Sequence, residues 1–342
     1  MGSKCFNGEV WTNAPPAIMQ AILEANIIAV DGKVGHDSYS QRAIAMMQEA
    51  FQQPVSVMFA YNGTAANILA LKSMLRPWDS VLGAEQMHIH LHEDGASEYN
   101  LGCKLLTIPS ADGKVTPESV SAALAYHSGY GYQPRVLALT QPTELGVLYT
   151  LDELRALCAL AHTHGMYVFV DGARITHALA ALDTDLQSMI GDTGVDAFTF
   201  GGTKAGLMFG EMVVFLRAEF SDALAYSQKQ SLQHMDKSKF LGVQFEYLLK
   251  DGFWRKTAGH ANQMAQRLAA AFASHGMPLA YPADTNMVFV QLTEEQLKLV
   301  QTAYDVSYWD KTKHTVRFAA THETTGQMID DLMQQLFPRI DA

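Results

Sequence analysis

Cysteine is scarce in this chain: Cys5, Cys103 and Cys158 are the only three in 342 residues, and no two form a CxxC pair. An odd, dispersed set supports neither a disulfide framework nor a thiolate zinc site, so all three read as free thiols, mostly in the core. Basic charge is also short, with 24 Lys and Arg against 35 Asp and Glu and a formal net charge of -11. Those basic residues are scattered, which leaves no positive field for a phosphate backbone or an anionic lipid; neither nucleic acid nor membrane is expected as a partner. No apolar run approaches the roughly 20 residues of a membrane span. Met1 to Glu24 shows no basic start followed by a long apolar stretch, so no secretory leader is read there and a cytoplasmic location is expected. Internal repeats and low-complexity segments are lacking too.

What is present is a composition of 48% hydrophobic and 17% charged residues, enough to bury a large core and to divide into one large and one smaller domain. After a polar N-terminal arm over 1–14, Pro15-Pro16 opens an amphipathic helix reaching about Glu24, proline being suited to a first helical turn. Strand-like runs at Val55–Ala60, Val136–Thr140, Tyr167–Val170 and Ala197–Phe200 are separated by helix-like runs such as Thr64–Ser73 and Leu151–Thr163. This alternation predicts an α/β fold, a mostly parallel, doubly wound sheet with helices on both faces, in a large domain over 15–250. Thr150-Leu-Asp-Glu153 is a capping-box pattern, and His164-Gly165 closes the helix it opens. From 251 to 342 a long helix (Trp254 to Ser274), strands at Asn286–Gln291 and Thr315–Ala319, a helix from Glu294 and a closing helix predict a small α+β domain.

Chemistry concentrates in Val168-Phe-Val-Asp171-Gly-Ala-Arg174 and, about thirty residues on, Phe198-Thr-Phe-Gly-Gly-Thr-Lys204. Taken singly, Asp171 is an ordinary turn carboxylate and Lys204 an ordinary loop lysine. Together they change meaning, because open α/β sheets bind ligands beyond the carboxyl ends of their strands, where both residues fall. A pyridine-ring cofactor needs this pair: an amine to form an imine and a carboxylate to keep the ring nitrogen protonated. A third element is Tyr61-Asn-Gly63-Thr64-Ala-Ala-Asn67, a strand-to-helix turn where free N–H groups and the helix dipole favour a phosphate. Read alone it is a βα turn with Thr64 as cap.

With Gly35-His-Asp-Ser-Tyr39, His88-Ile-His-Leu-His-Glu93-Asp-Gly and Gln141-Pro-Thr-Glu-Leu-Gly146 added, the chain resembles the low-specificity L-threonine aldolase and β-eliminating lyase family. These are pyridoxal 5'-phosphate (PLP) enzymes of the aspartate-aminotransferase-like fold, fold type I. The resemblance runs from about Pro16 to His322. It implies that Lys204 holds PLP as an imine, Asp171 pairs with the ring nitrogen, Gly63 and Thr64 hold the phosphate, and His88 stacks on the ring. It further implies that Arg174 and Arg317 hold the substrate carboxylate, a role that suits a guanidinium fork. It also implies a site between subunits of a homodimer or homotetramer, with Tyr39 reaching across. The activity implied is cleavage of a β-hydroxy-L-amino acid, of threonine or allo-threonine type, to glycine and an aldehyde. Catalysis falls to Lys204, His88 and Asp171, with His88 the leading base.

His88, His90 and His92 could share one strand face and offer imidazoles to zinc, but nothing is marked out to complete the shell, and no metal is assigned. Glu93 reads either as an orienting group or as a solvated turn carboxylate. Two places depart from the family pattern. Its usual Ser-Asp-Asn run is replaced by Gly8-Glu9-Val10, with Asn7 or Thr12 as possible substitutes for the serine. A histidine usual shortly before the strand matched by Val136–Thr140 gives way to Tyr130-Gly-Tyr132, with His127 slightly earlier. Other readings of the same scaffold are an aryl-β-hydroxy amino acid aldolase, a β-eliminating lyase, an aminotransferase and a non-catalytic PLP-fold binding protein.

Overall fold

The Thr150 hydroxyl accepts from Glu153 N and the Glu153 carboxylate accepts from Thr150 N, so the capping box forms and opens a helix over Leu151–Thr163 as its spacing predicts. The structure, a computed structural model, describes residues 5–28, 36–126, 131–221 and 224–338. Ten strands are present among them: β1 (Ser56–Ala60), β2 (Asp79–Ala84), β3 (Lys104–Ile108), β4 (Gln133–Thr140), β5 (Tyr167–Asp171), β6 (Ala197–Gly201), β7 (Glu211–Phe215), β8 (Met287–Gln291), β9 (Tyr308–Asp310) and β10 (Thr315–Ala319). The first seven form one sheet in the order β1-β7-β6-β5-β4-β2-β3. The run β3-β2-β4-β5-β6 is parallel, and β7 pairs antiparallel with both β6 and β1.

Alternate residues of the central strands point to opposite faces, and both faces are covered. Leu137, Leu139, Val168 and Val170 join one core with Leu154, Leu157 and Ala161 of the helix over Leu151–Thr163. Val136, Ala138 and Phe169 join another with Ala66, Leu69 and Ala70 of the helix over Gly63–Met74. Near-continuous apolar runs are what a sheet buried on both sides requires. Each fully buried leucine contributes about 1.5–3 kcal/mol.

A second, antiparallel sheet has the order β8-β10-β9. It packs with the helices over Phe253–Ser274, Glu294–Gln301 and Gly326–Leu336 around Phe272, Val288, Val290 and Phe318. The N-terminal arm is tied to this second core. Phe6 is wholly buried against Tyr304 and Phe318, and its backbone bonds to Asp305 O and Ala319 N. Reading the arm as merely polar missed this anchor, whose signal was one phenylalanine.

Among the described residues, no helix is long and apolar enough to cross a membrane. Cys5, Cys103 and Cys158 are free and buried.

Candidate active site

The ends of β5 and β6 are drawn together by glycine. A Cβ at Gly172 would run into Thr199 O, and one at Gly201 into Ala173 O, so only glycine lets these two turns cross. Asp171 ends β5, and Lys204 follows β6 by three residues, in a short turn over Thr203–Ala205. That turn is fixed from β7, where the buried Glu211 carboxylate accepts from Gly202 N at 2.9 Å. Both residues therefore stand at the carboxyl edge of the sheet, where the strand-end rule places a ligand.

Lys204, His88, Arg174 and Arg317 line one cavity of about 310 Å³, together with Glu9, Glu144, His92, Trp11 and Trp309. Lys204 is half-buried and has no hydrogen bond or ion pair among the described residues. Burial and the neighbouring Arg174 charge pull its ammonium below the ordinary lysine value, against the opposing pull of Glu144, Glu9 and Asp171.

Asp171 is joined to the cavity through a chain of hydrogen bonds. Its Oδ1 accepts from Ala173 N at 3.0 Å, and its Oδ2 from Asn67 Nδ2 at 2.9 Å. The same Asn67 nitrogen donates to Glu93 Oε1 at 2.9 Å, and that oxygen also meets His88 Nδ1 at 2.9 Å. Since a carboxylate only accepts, His88 carries its proton on Nδ1 and turns Nε2 away from Glu93. Burial lowers the His88 imidazole, but the Glu93 bond and the Glu144 and Asp171 charges outweigh it and hold it above its ordinary value. Burial raises Asp171 above the usual carboxylate range. Glu93 is buried in this chain, so it is the orienting group rather than a solvated turn residue.

His88 lies in a single helical turn, His88–Leu91, and not on a strand. The three histidines therefore do not share the alternating face on which a zinc reading depended. His92 instead lies tilted between two rings, its centre 5.5 Å from that of His88 and 5.3 Å from that of Trp309.

The departure at Gly8-Glu9-Val10 falls inside the site. Glu9 forks onto Arg174, Nε to Oε1 at 2.6 Å and Nη2 to Oε2 at 3.1 Å, and Asn286 Nδ2 adds a third bond at 2.7 Å. Arg317 has no carboxylate partner among the described residues. Its Nη2 donates to Asn7 O at 2.9 Å, and its guanidinium carbon lies 4.9 Å from the centre of the Trp309 ring. Thr12, a possible substitute for the family serine, spends its hydroxyl on Glu9 O.

Gly63 and Thr64 begin the helix over Gly63–Met74, but the cap is Asn62, whose side chain accepts from Ala65 N at 2.9 Å. Thr64 faces an adjoining hollow that shares His92 with the Lys204 cavity. Tyr39 does not line the cavity of its own chain; its ring lies under Arg42. Gly35, His127 and Tyr130 fall outside the described residues.

Sequence reasoning assigned no role to Glu9, Asn67 or Glu144, which it met only inside longer motifs, and passed over Trp309. Glu144 was within reach of the strand-end rule, since it follows the end of β4 by four residues, where Lys204 follows β6 by three.

Three comparisons with known proteins agree with this geometry. Residues 11–295 match the family model described as β-eliminating lyase. The chain is 37% identical over 302 residues to a low specificity L-threonine aldolase of a Pseudomonas sp., covering 87% of each. It is 33% identical to the Pseudomonas aeruginosa protein of that name, covering 97% of this chain and 96% of the other. Among solved structures, the Leishmania major threonine aldolase superposes with a TM-score of 0.91 at 30% identity, covering 97% of this chain and 98% of that one. A Thermus thermophilus aspartate aminotransferase shares the fold at 14% identity, with a TM-score of 0.70 over 98% of this chain and 91% of that one. A strand-end Asp, a lysine freed of ion pairs and these relatives converge on one conclusion: the chain belongs to the low-specificity L-threonine aldolase and β-eliminating lyase family, PLP-dependent lyases of fold type I.

Proposed function

We propose that this protein cleaves a β-hydroxy-L-amino acid of threonine or allo-threonine type to glycine and an aldehyde, with PLP held on Lys204. The observation that carries the reading is the shared cavity, which sets Lys204, Arg317 and His88 against one space, the first two without a carboxylate partner among the described residues.

The residues present fit the cofactor. Lys204 has no competing partner among the described residues, and its amine is drawn toward the neutral form that bonds a carbonyl carbon. The Asp171 carboxylate, held high by burial, gains from a cationic ring nitrogen beside it. Gly63 and Thr64 bring first-turn N–H groups, a hydroxyl and the positive end of a helix dipole to a phosphate. His88 offers a ring face held in place through Glu93. When bound, PLP supplies an aldehyde carbon for the substrate amine and a protonated ring that accepts the electron pair left at Cα.

The chain's own residues then have separate tasks. Lys204 would hold the group through its amine nitrogen, at the place a substrate amine must reach. Arg317 takes the substrate carboxylate, while Arg174, gripped along one edge by Glu9, offers only its remaining N–H groups. Fixing the carboxylate turns the Cα–Cβ bond toward the angle at which it breaks most easily. Asp171, Asn67, Glu93 and His88 form one hydrogen-bonded unit, in which Asp171 would pair with the ring nitrogen and His88 would cover a ring face.

Tyr39, absent from its own chain's cavity, is assigned to the site of a partner subunit in a homodimer or homotetramer. The division read here is an arm (1–14), a large domain (15–250) and a small domain (251–342), and it is supported by a cavity lining that draws on all three through Glu9, Lys204 and Arg317.

The test is a product assay on L-threonine, L-allo-threonine and phenylserine with PLP and no 2-oxo acid. The reading requires equimolar glycine and aldehyde. Turnover only when a 2-oxo acid is added would make the protein an aminotransferase instead.

A further inference from the structure

We infer that Glu144 is the catalytic residue that accepts the proton of the substrate's β-hydroxyl; this rests on the aldolase reading above. Glu144 lines the Lys204 cavity, is only 5% exposed, and makes no hydrogen bond or ion pair among the described residues. Buried carboxylates are almost always hydrogen-bonded, so a bare one calls for a partner that arrives later.

The backbone around it is the opposite of bare. Thr143 N and Val147 O bond at 2.9 Å, as do Gly146 N and Thr143 O, and the Thr143 hydroxyl donates to Asp112 O at 3.0 Å. Gln141 bonds Tyr149 through both ends of its amide, and its own N–H donates to Asp171 O. Leu145 and Val147 pack against Met287, Phe289 and Ala319. A turn fastened at this many points presents one unfastened side chain to the cavity. Gly146, with φ of 82°, sits where a Cβ would crowd Met287 at 3.3 Å, so the turn has little room to shift.

Charge favours the same assignment. Burial pushes the Glu144 carboxyl up, but Arg174, Lys204, His88 and Arg317 outweigh it and hold it ionised, below its ordinary value. His88, the rival acceptor, is held toward its protonated form by Glu93 and Glu144. An anion can take a proton that an imidazolium cannot.

In the step proposed, the O–H bond breaks and its proton moves to a Glu144 oxygen. The freed pair becomes the second bond of the aldehyde carbonyl as the Cα–Cβ bond breaks, and the pair from that bond goes to Cα. One proton leaves the hydroxyl and one arrives at Cα to give glycine, so no co-reactant is needed.

The test compares holoenzyme with Glu144→Gln, Glu144→Asp and His88→Phe variants. Four quantities are read: melting temperature, the spectral titration with glycine, exchange of the glycine α-proton in deuterated water, and cleavage of L-threonine. Glycine has no hydroxyl, so its titration and exchange bypass the step in question. Glu144→Gln should lose at least about 100-fold in cleavage, with glycine titration and exchange within about threefold of the parent, and Glu144→Asp should recover part of the loss. Cleavage within threefold of the parent would overturn the inference. So would a parallel loss of exchange and cleavage in both Glu144 variants, or a cleavage-only loss that appears in His88→Phe alone. Failure of the unmodified protein to split threonine would instead overturn the aldolase reading, before any variant is made.

Discussion

Glu9 and Arg174 meet as a two-point ion pair in the wall of the Lys204 cavity, 4% and 6% exposed, with Asn286 as a third member. An arginine expected to hold the substrate carboxylate already holds one from its own chain. Removing one partner of such a pair leaves a buried charge unmatched, and the cost is large even where the pair itself adds little net stability. Glu9→Gln should therefore lower unfolding stability by on the order of 3 kcal/mol, read from urea midpoints. A loss below about 0.5 kcal/mol would mean that water or Glu144 compensates Arg174 fully.

In the function proposed above, the substrate carboxylate goes to Arg317. It is stacked on Trp309 and tied only to a backbone oxygen, so both its charge and its position are available. Arg317→Ala should raise KM for every amino acid tested by about 10–100-fold, the worth of a charge-assisted hydrogen bond, with the cofactor spectrum unchanged. Arg317→Lys should recover little, because a point charge cannot replace the planar fork. Unchanged kinetics in Arg317→Ala would remove it from the site.

Asn67 is a single amide nitrogen shared by two buried carboxylates, Asp171 and Glu93. Without it those acids face each other with no donor between them. Asn67→Ala should weaken PLP binding by about 10–100-fold, measured by absorbance titration of the apoprotein. Asn67→Asp should be worse, since it adds a third acid. Cofactor affinity within twofold of the parent in both variants would break the proposed link from Asp171 to His88.

Much of this was legible in the sequence, and the reasons are specific. The helix Leu151–Thr163 and the strand Thr315–Ala319 were readable to the residue, the first from its capping box and the second from the alternation of Thr315, Val316, Arg317 and Phe318. β2, β3 and β7 were not singled out, since Gly83 interrupts one, Lys104 and Thr107 dilute another, and nothing local says that β7 runs antiparallel. Asp171 and Lys204 were legible because a strand end is a sequence-local feature. Glu9 was legible only as a departure from a pattern. Its partner lies 165 positions away, a pairing that only the folded backbone creates.

Two buried groups set opposing pH dependences. Burial pushes the Glu211 carboxyl up to about 7 and pulls the His177 imidazole down to about 4. Glu211 is raised above its unfolded value of about 4.3, so its contribution is present below that pH and is lost as pH rises toward 7. His177 is depressed below its unfolded value of about 6.5, so its contribution is present above that pH and is lost as pH falls toward 4. The two slopes nearly cancel across the shared window. Glu211→Gln should make stability rise with pH between 4.5 and 6.5 more steeply than in the parent, by up to about 1.4 kcal/mol per pH unit. His177→Asn should tilt the profile the other way. Urea midpoints at half-unit pH steps decide this, and parallel profiles in all three proteins would contradict the burial argument.

The account depends most on Lys204, and reduction tests it most directly. Protein incubated with PLP and then borohydride should carry one pyridoxyl phosphate group per chain, located by peptide mass mapping on Lys204. Lys204→Ala should carry none and lose the visible absorption band. A label spread over other lysines with Lys204 unmodified would contradict the account at its centre.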